Sequence, residues 1–125
     1  MSETEKQPTL GNGKICYVEI PTSNIDASVD FYREVFGWKI RTRDDGCVAF
    51  DDGVGQVSGA WVTDRPPMTE AGLLIYIMVD SVAATSEALI ANGGKIVKPL
   101  GHHEREKIAI FSDPAGNVLG LYQEP

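Results

Sequence analysis

The chain has 125 residues, 42% hydrophobic and 23% charged, with 11 Lys and Arg against 18 Asp and Glu for a formal charge of −7. That length and apolar content fit one packed domain, or two small halves sharing a core, and exclude wholesale disorder. The acidic balance excludes a general affinity for nucleic acid or for an anionic membrane surface, and no apolar run approaches the roughly 18–20 residues that span a bilayer.

Residues 1–13 are polar, lack the apolar stretch of a secretory signal, and read as a flexible tail ending at Gly11-Asn12-Gly13. Residues 14–20 are rich in β-branched and aromatic side chains and stop at Pro21, which predicts a strand. Ser23 and Asn24 offer helix-capping oxygens. Ile25, Val29, Tyr32, Val35 and Phe36 then recur at helical spacing, and Gly37 closes the run. Residues 38–43, 47–50 and 57–63 read as three strands, joined by Asp44-Asp45-Gly46 and Asp51-Asp52-Gly53 turns. After a stiff Arg65-Pro66-Pro67 linker the order repeats. Residues 73–79 form a strand, Asp80 caps a helix carrying Val82, Leu89 and Ile90, and Gly93-Gly94 ends it. Residues 95–98, 108–111 and 118–122 complete the set.

The repetition shows in residue arithmetic. A shift of 57 places Tyr17 on Leu74, Ile25 on Val82, Tyr32 on Leu89 and Gly37 on Gly94. A shift of 61 places Phe50 on Phe111, Asp52 on Asp113, Gly59 on Gly120 and Trp61 on Tyr122. This predicts an α+β chain of two tandem βαβββ modules, residues 14–63 and 73–125, joined by residues 64–72. Neither half could bury its own sheet alone. Cys16 and Cys47 lie in apolar, strand-like runs, too few for a disulfide framework. They are expected to be reduced core residues of a cytoplasmic protein.

Two phrases carry a family resemblance. One runs from Val18 to Asn24 and on through Ser28-Val29-Asp30-Phe31-Tyr32 to Phe36-Gly37-Trp38. The other is Asp113-Pro114-Ala115-Gly116-Asn117 through Tyr122. Together they resemble the vicinal oxygen chelate superfamily, the glyoxalase, bleomycin-resistance and extradiol-dioxygenase relatives, over residues 14–124. The resemblance implies a curled, cleft-bearing mixed sheet flanked by helices, a small-molecule ligand in the cleft, and a homodimer. It implies no single reaction, since one fold hosts many.

In metal-dependent relatives the first and last strands of each module supply His, Gln or Glu ligands. Here those positions fall at Tyr17 and Leu74, and at Gly59 and Gly120. A phenol, an alkyl chain and two bare Cα atoms do not make the donor set a divalent cation needs, so no metal or other cofactor is expected. Cys16, Val18 and Ile20 are expected to pack under the helices. Alternation then turns Tyr17 and Glu19 into the cleft, with Leu74, Tyr76 and Met78, Gly59 and Trp61, and Gly120 and Tyr122. The tyrosines and Trp61 offer stacking faces. Glu19 offers a partner for a cationic ligand or, with Tyr17, an acid–base pair; the structural alternative is an ion pair with Arg41 or Arg43. His102-His103-Glu104 has no metal-ligand spacing and reads as a solvated loop, with His103 the candidate at the cleft mouth. Asp113 to Asn117 reads as a turn between the last two strands, because no helix follows it, and Trp38 as core at the module junction.

The expected function is capture of a small organic molecule, with a cationic one favoured by Glu19, by Tyr17, Glu19, Arg43, Trp61, Tyr76, Met78, Tyr122 and His103. The alternatives are a glyoxalase-type lyase or isomerase, with a non-standard metal site or using Glu19 without metal, and a partner-binding domain whose cleft is closed by side chains.

Overall fold

A computed structural model describes residues 7–125. The elements, in order, are β1 (Tyr17–Pro21), α1 (Ile25–Phe36), β2 (Lys39–Thr42), β3 (Val48–Asp51), β4 (Ser58–Val62), β5 (Tyr76–Met78), α2 (Val82–Ala91), β6 (Lys95–Lys98), β7 (Lys107–Ser112) and β8 (Val118–Gln123). This is the α+β class with the βαβββ order present twice. Each half forms a four-stranded mixed sheet, β1-β4-β3-β2 and β5-β8-β7-β6, in which only the first strand pairs parallel. The two sheets are separate, with β1 and β5 each left at an edge, so one chain does not close a continuous curl.

Local chemistry accounts for the helix ends. The Asn24 side chain accepts from the Ala27 amide, and Gly37 sits at φ +68° returning its N–H to Arg33, a conformation that strains any residue with a Cβ. Asp80 was the expected cap of α2. Ser81 takes that place, its hydroxyl accepting from the Ala84 amide.

The core runs across both modules. Phe31, Tyr32, Trp38, Phe50 and Trp61 of the first meet Val82, Leu89, Phe111 and Leu121 of the second. Tyr32 stacks on Trp38 at 4.6 Å, Trp38 stacks on Phe50 at 4.4 Å, and Phe31 lies 6.1 Å from Phe111. Trp38 is thus a core residue, as expected, with its ring contacts to Tyr32, Phe36 and Phe50 of its own module. Cys47 is half-buried, but Cys16 precedes β1 and is exposed rather than packed under a helix. Both are free thiols.

Register corrects one step of the repeat. Phe50 pairs with Gly59, whereas Phe111 pairs with Leu119. The β7–β8 turn is one residue shorter than the β3–β4 turn. Gly59 therefore matches Leu119, and it is Ala60 that matches Gly120. A one-residue slip exchanges the faces of a strand. Gly59 and Trp61 accordingly point to the helices, and Trp61 is 2% exposed in the core. Neither lines the open face, contrary to the expectation from a uniform shift.

Candidate functional site

Each sheet has a face turned away from the helices. On the second sheet it carries Tyr76 and Met78 of β5, Gly120 and Tyr122 of β8, and Ile108 and Ile110 of β7, which stand opposite one another in register. Tyr76, Met78, Ile108 and Tyr122, with His103 and Glu106 from the loop before β7, surround a pocket of about 470 Å³. Four residues singled out by sequence pattern therefore share one wall. Gly120 has a steric reason to be glycine: a Cβ there would lie 2.5 Å from the nearest atom of the Tyr76 ring. Tyr122 donates to Glu124 at 2.7 Å, and that hydrogen bond raises its pKa above the ordinary phenol value. His103 accepts at Nδ1 from the Arg105 and Glu106 amides, so in its neutral form the proton is on Nε2. His102 turns away, its Nδ1 2.8 Å from the Pro99 carbonyl oxygen. Glu106 is the acidic group of this pocket, and its position in an irregular loop gave no periodic signal by which to find it.

The open face of the first sheet is polar. Tyr17 and Glu19 stand on it as alternation requires, but Glu19 meets neither Arg41 nor Arg43. Arg65 of the linker reaches it at 2.7 Å, while also bonding Asp64. Arg41 instead makes two 3.1 Å bonds to Asp51, which also accepts from Ser58 Oγ at 2.6 Å. The Arg41 bond is the main reason the Asp51 pKa lies below the usual carboxylate value. Arg43 donates to the Tyr17 hydroxyl at 2.8 Å.

A larger cavity of about 810 Å³ is lined by both modules, β1 and β5 included. Its walls are chiefly apolar side chains, among them Val18, Ile20, Phe36, Trp38, Ile77 and Leu119, with Asp52 and Asp80 the acidic groups among them.

The metal-ligand positions can be re-read with the corrected register. On the open face the last strands present Ser58, Ala60 and Gly120, and the first strands present Tyr17 and, by alternation, Leu74. The Ser58 hydroxyl and the Tyr17 phenol are engaged with Asp51 and Arg43. Among the described residues no three His, Cys, Asp or Glu side chains come together as a metal site requires.

The family model of the glyoxalase/bleomycin resistance protein/dioxygenase superfamily matches residues 14–121. The chain belongs to this superfamily. A glyoxylase-like domain-containing protein of Didymella fabae is 28% identical, over 91% of this chain and 96% of its own length. A probable lactoylglutathione lyase of Vibrio parahaemolyticus is 27% identical, over 91% and 93%. Among solved structures, an antibiotic-binding protein of a Streptomyces species superposes with a TM-score of 0.70 at 24% identity, covering 94% of this chain and 100% of that one. A superfamily member from Sphaerobacter thermophilus reaches 0.74 at 20% identity, covering 90% and 98%. No helix among the described residues is long and apolar enough to cross a membrane.

Proposed function

We propose that this superfamily member captures a flat organic molecule, neutral or cationic, against the open face of its second sheet, and does so without a metal. The observation that carries the reading is the pocket itself, where two tyrosine faces, a methionine and an isoleucine surround a space of small-molecule size. Glu106, and Glu124 behind Tyr122, put negative charge beside those faces, and an aromatic ring next to a carboxylate suits a cation. Glu19, the carboxylate expected to do this, is occupied by Arg65. Metal independence rests on the donor set described above. A cytoplasmic location fits the two free thiols.

The same reading makes the working unit a homodimer. β1 and β5 are unpaired edges, Ile15 (78% exposed), Leu73 (74%) and Met78 (66%) crowd around them, and both strands line the apolar cavity. Edges and apolar surface of this kind call for a cover, and a second copy of the chain supplies complementary edges. The structural likeness to an antibiotic-binding protein supports the binding role.

The test is titration of the protein with a panel of flat aromatic cations and neutral aromatic antibiotics, followed by fluorescence. At least one ligand should bind with micromolar or tighter affinity, unaffected by EDTA, and Tyr76→Ala or Tyr122→Ala should weaken it about tenfold. The similarity to lactoylglutathione lyases favours a second reading, a glyoxalase-type lyase or isomerase. Turnover of the methylglyoxal–glutathione adduct that EDTA abolishes would replace the binding reading with that one.

A further inference from the structure

The first sheet has a different chemistry from the second, and one pair of residues on it stands apart. Three arginines lie on or over its open face. Arg41 is matched by Asp51, and Arg65 by Glu19 and Asp64, each in charge-to-charge bonds. Arg43 is not matched in this way. Its short bond, 2.8 Å, goes to the uncharged hydroxyl of Tyr17, and its carboxylate contact, with Asp45, is 3.4 Å long to a side chain that is 61% exposed. Asp45 already spends its other oxygen on the Cys47 amide.

Donors therefore predominate at this point. A guanidinium has five N–H donors and accepts nothing, and a phenol oxygen that accepts from Arg43 keeps its own proton to donate. The pair is accessible, with Tyr17 41% exposed and the Arg43 side chain 43% exposed. Ala49 and Ala60 stand opposite each other in register, in the row of Glu19 and Arg41, on the same open face. Both are nearly buried, 1% and 2% exposed, so recognition falls to the donor pair alone.

We propose that Tyr17 and Arg43 form an oxyanion-binding subsite on the first sheet, taking a carboxylate-bearing or similar organic anion. The guanidinium supplies charge and two parallel N–H bonds, and the Tyr17 hydroxyl supplies a third donor from the side. This goes beyond the pocket on the second sheet. It reverses the charge expected of the Tyr17–Glu19 strand, because Glu19 is paired by the linker at 2.7 Å while the short bond of Arg43 goes to a neutral hydroxyl and its carboxylate contact is 3.4 Å long.

The experiment compares benzoate with its neutral isostere benzamide, titrated into the full chain and followed by NMR at the Arg43 Nε–H and the backbone amides of β2 and β3. Benzoate should bind saturably at millimolar concentrations or below, shift those signals, and bind about tenfold more tightly than benzamide. Arg43→Gln should remove that preference. Arg43→Lys should keep part of it, because charge survives and the fork does not. Tyr17→Phe should weaken benzoate about threefold to tenfold. Equal binding of the two probes, benzoate affinity unchanged in Arg43→Gln, or no saturable benzoate binding would each overturn the proposal. Shifts confined to the second sheet would overturn it too, while leaving the second-sheet pocket intact. Loss of cation binding there, with benzoate still held by Arg43, would sink the other reading alone.

Discussion

Replacing Asp113 by alanine should destabilise the fold more than any other single polar change, and the structure allows the cost to be built up bond by bond. Asp113 is 3% exposed at the β7–β8 turn. Oδ1 accepts from the Ala115, Gly116 and Asn117 amides at 2.9–3.0 Å. Oδ2 accepts from the Tyr32 hydroxyl at 2.8 Å and from Asn117 Nδ2 at 3.1 Å. Asn117 extends the network, donating to the Pro21 carbonyl and accepting from the Met68 amide. The turn thus ties β1, α1, the linker and the second sheet together. In Asp113→Ala the Ala115 and Gly116 amides lie at a half-exposed turn and can find water. Tyr32, fully buried, cannot, and the equally buried Asn117 loses the acceptor of its backbone amide and one of the two acceptors of its Nδ2. Each stranded buried donor costs about 1–3 kcal/mol. With the lost charge-assisted bonds the total comes to about 3–5 kcal/mol, a large share of the ~5–15 kcal/mol that holds a small domain. Tyr32→Phe removes a single bond and leaves Asp113 four, so it should cost about 1–2 kcal/mol. Urea denaturation followed by circular dichroism measures both. If Asp113→Ala costs less than about 1 kcal/mol, or no more than Tyr32→Phe, the account of this turn as an inter-module lock is wrong.

Further outcomes follow from the same geometry. Burial, reinforced by Asp113, holds the Tyr32 pKa well above the ordinary value of 10.0. A raised folded-state pKa means stability that is full below the unfolded value and lost as pH climbs beyond it, so wild type should lose stability above about pH 10 more steeply than Tyr32→Phe in melting curves. Asp51 has the opposite sign. Its pKa is lowered chiefly by Arg41, so its contribution is present above the unfolded value of 3.8 and fades as pH falls below it; Arg41→Gln should flatten that acid limb. Two glycine substitutions should separate. A Cβ at Gly59 meets the Val18 carbonyl and the Phe50 ring inside the core, so Gly59→Ala should cost about 1–3 kcal/mol in denaturant. The nearest atoms to a Cβ at Gly120 belong to the Tyr76 ring, a residue 44% exposed that can swing away, so Gly120→Ala should cost less stability than Gly59→Ala and lower affinity at the second-sheet pocket.

Most of the architecture was legible because it is written in local periods. The helical spacing of Ile25, Val29, Tyr32 and Phe36 located α1, Gly37 ended it, and the matched turns exposed the duplication. The error at Gly59 and Trp61 has a definite origin. A single shift assumes that both modules spend the same number of residues on each turn, and the β7–β8 turn spends one fewer. Period two is unforgiving of that, since the slip moves every side chain of the strand to the other face. On β5 and β8 no turn length intervened between motif and strand, and Tyr76, Met78 and Tyr122 were placed together without correction.

What could not be read was which charge meets which. Glu19 and Arg65 are 46 positions apart with a helix and three strands between them, and no local rule brings them to 2.7 Å. Strand neighbours were the reasonable guess for Glu19, and Arg41 does take a strand neighbour, Asp51, through the β2–β3 ladder. The linker is what breaks the pattern. By sending Arg65 over the first sheet it removes the carboxylate that would have made this face acidic. Arg43 is then left beside Tyr17 with only the 3.4 Å contact to Asp45 as its carboxylate partner. The ligand preference of the first sheet is therefore set by the route of the connecting segment. Arg65→Gln tests this directly: freeing Glu19 should weaken benzoate at Tyr17 and Arg43 by a few-fold through like-charge repulsion, an effect that high salt should suppress. Unchanged benzoate affinity in that variant would mean the linker has no hand in the choice.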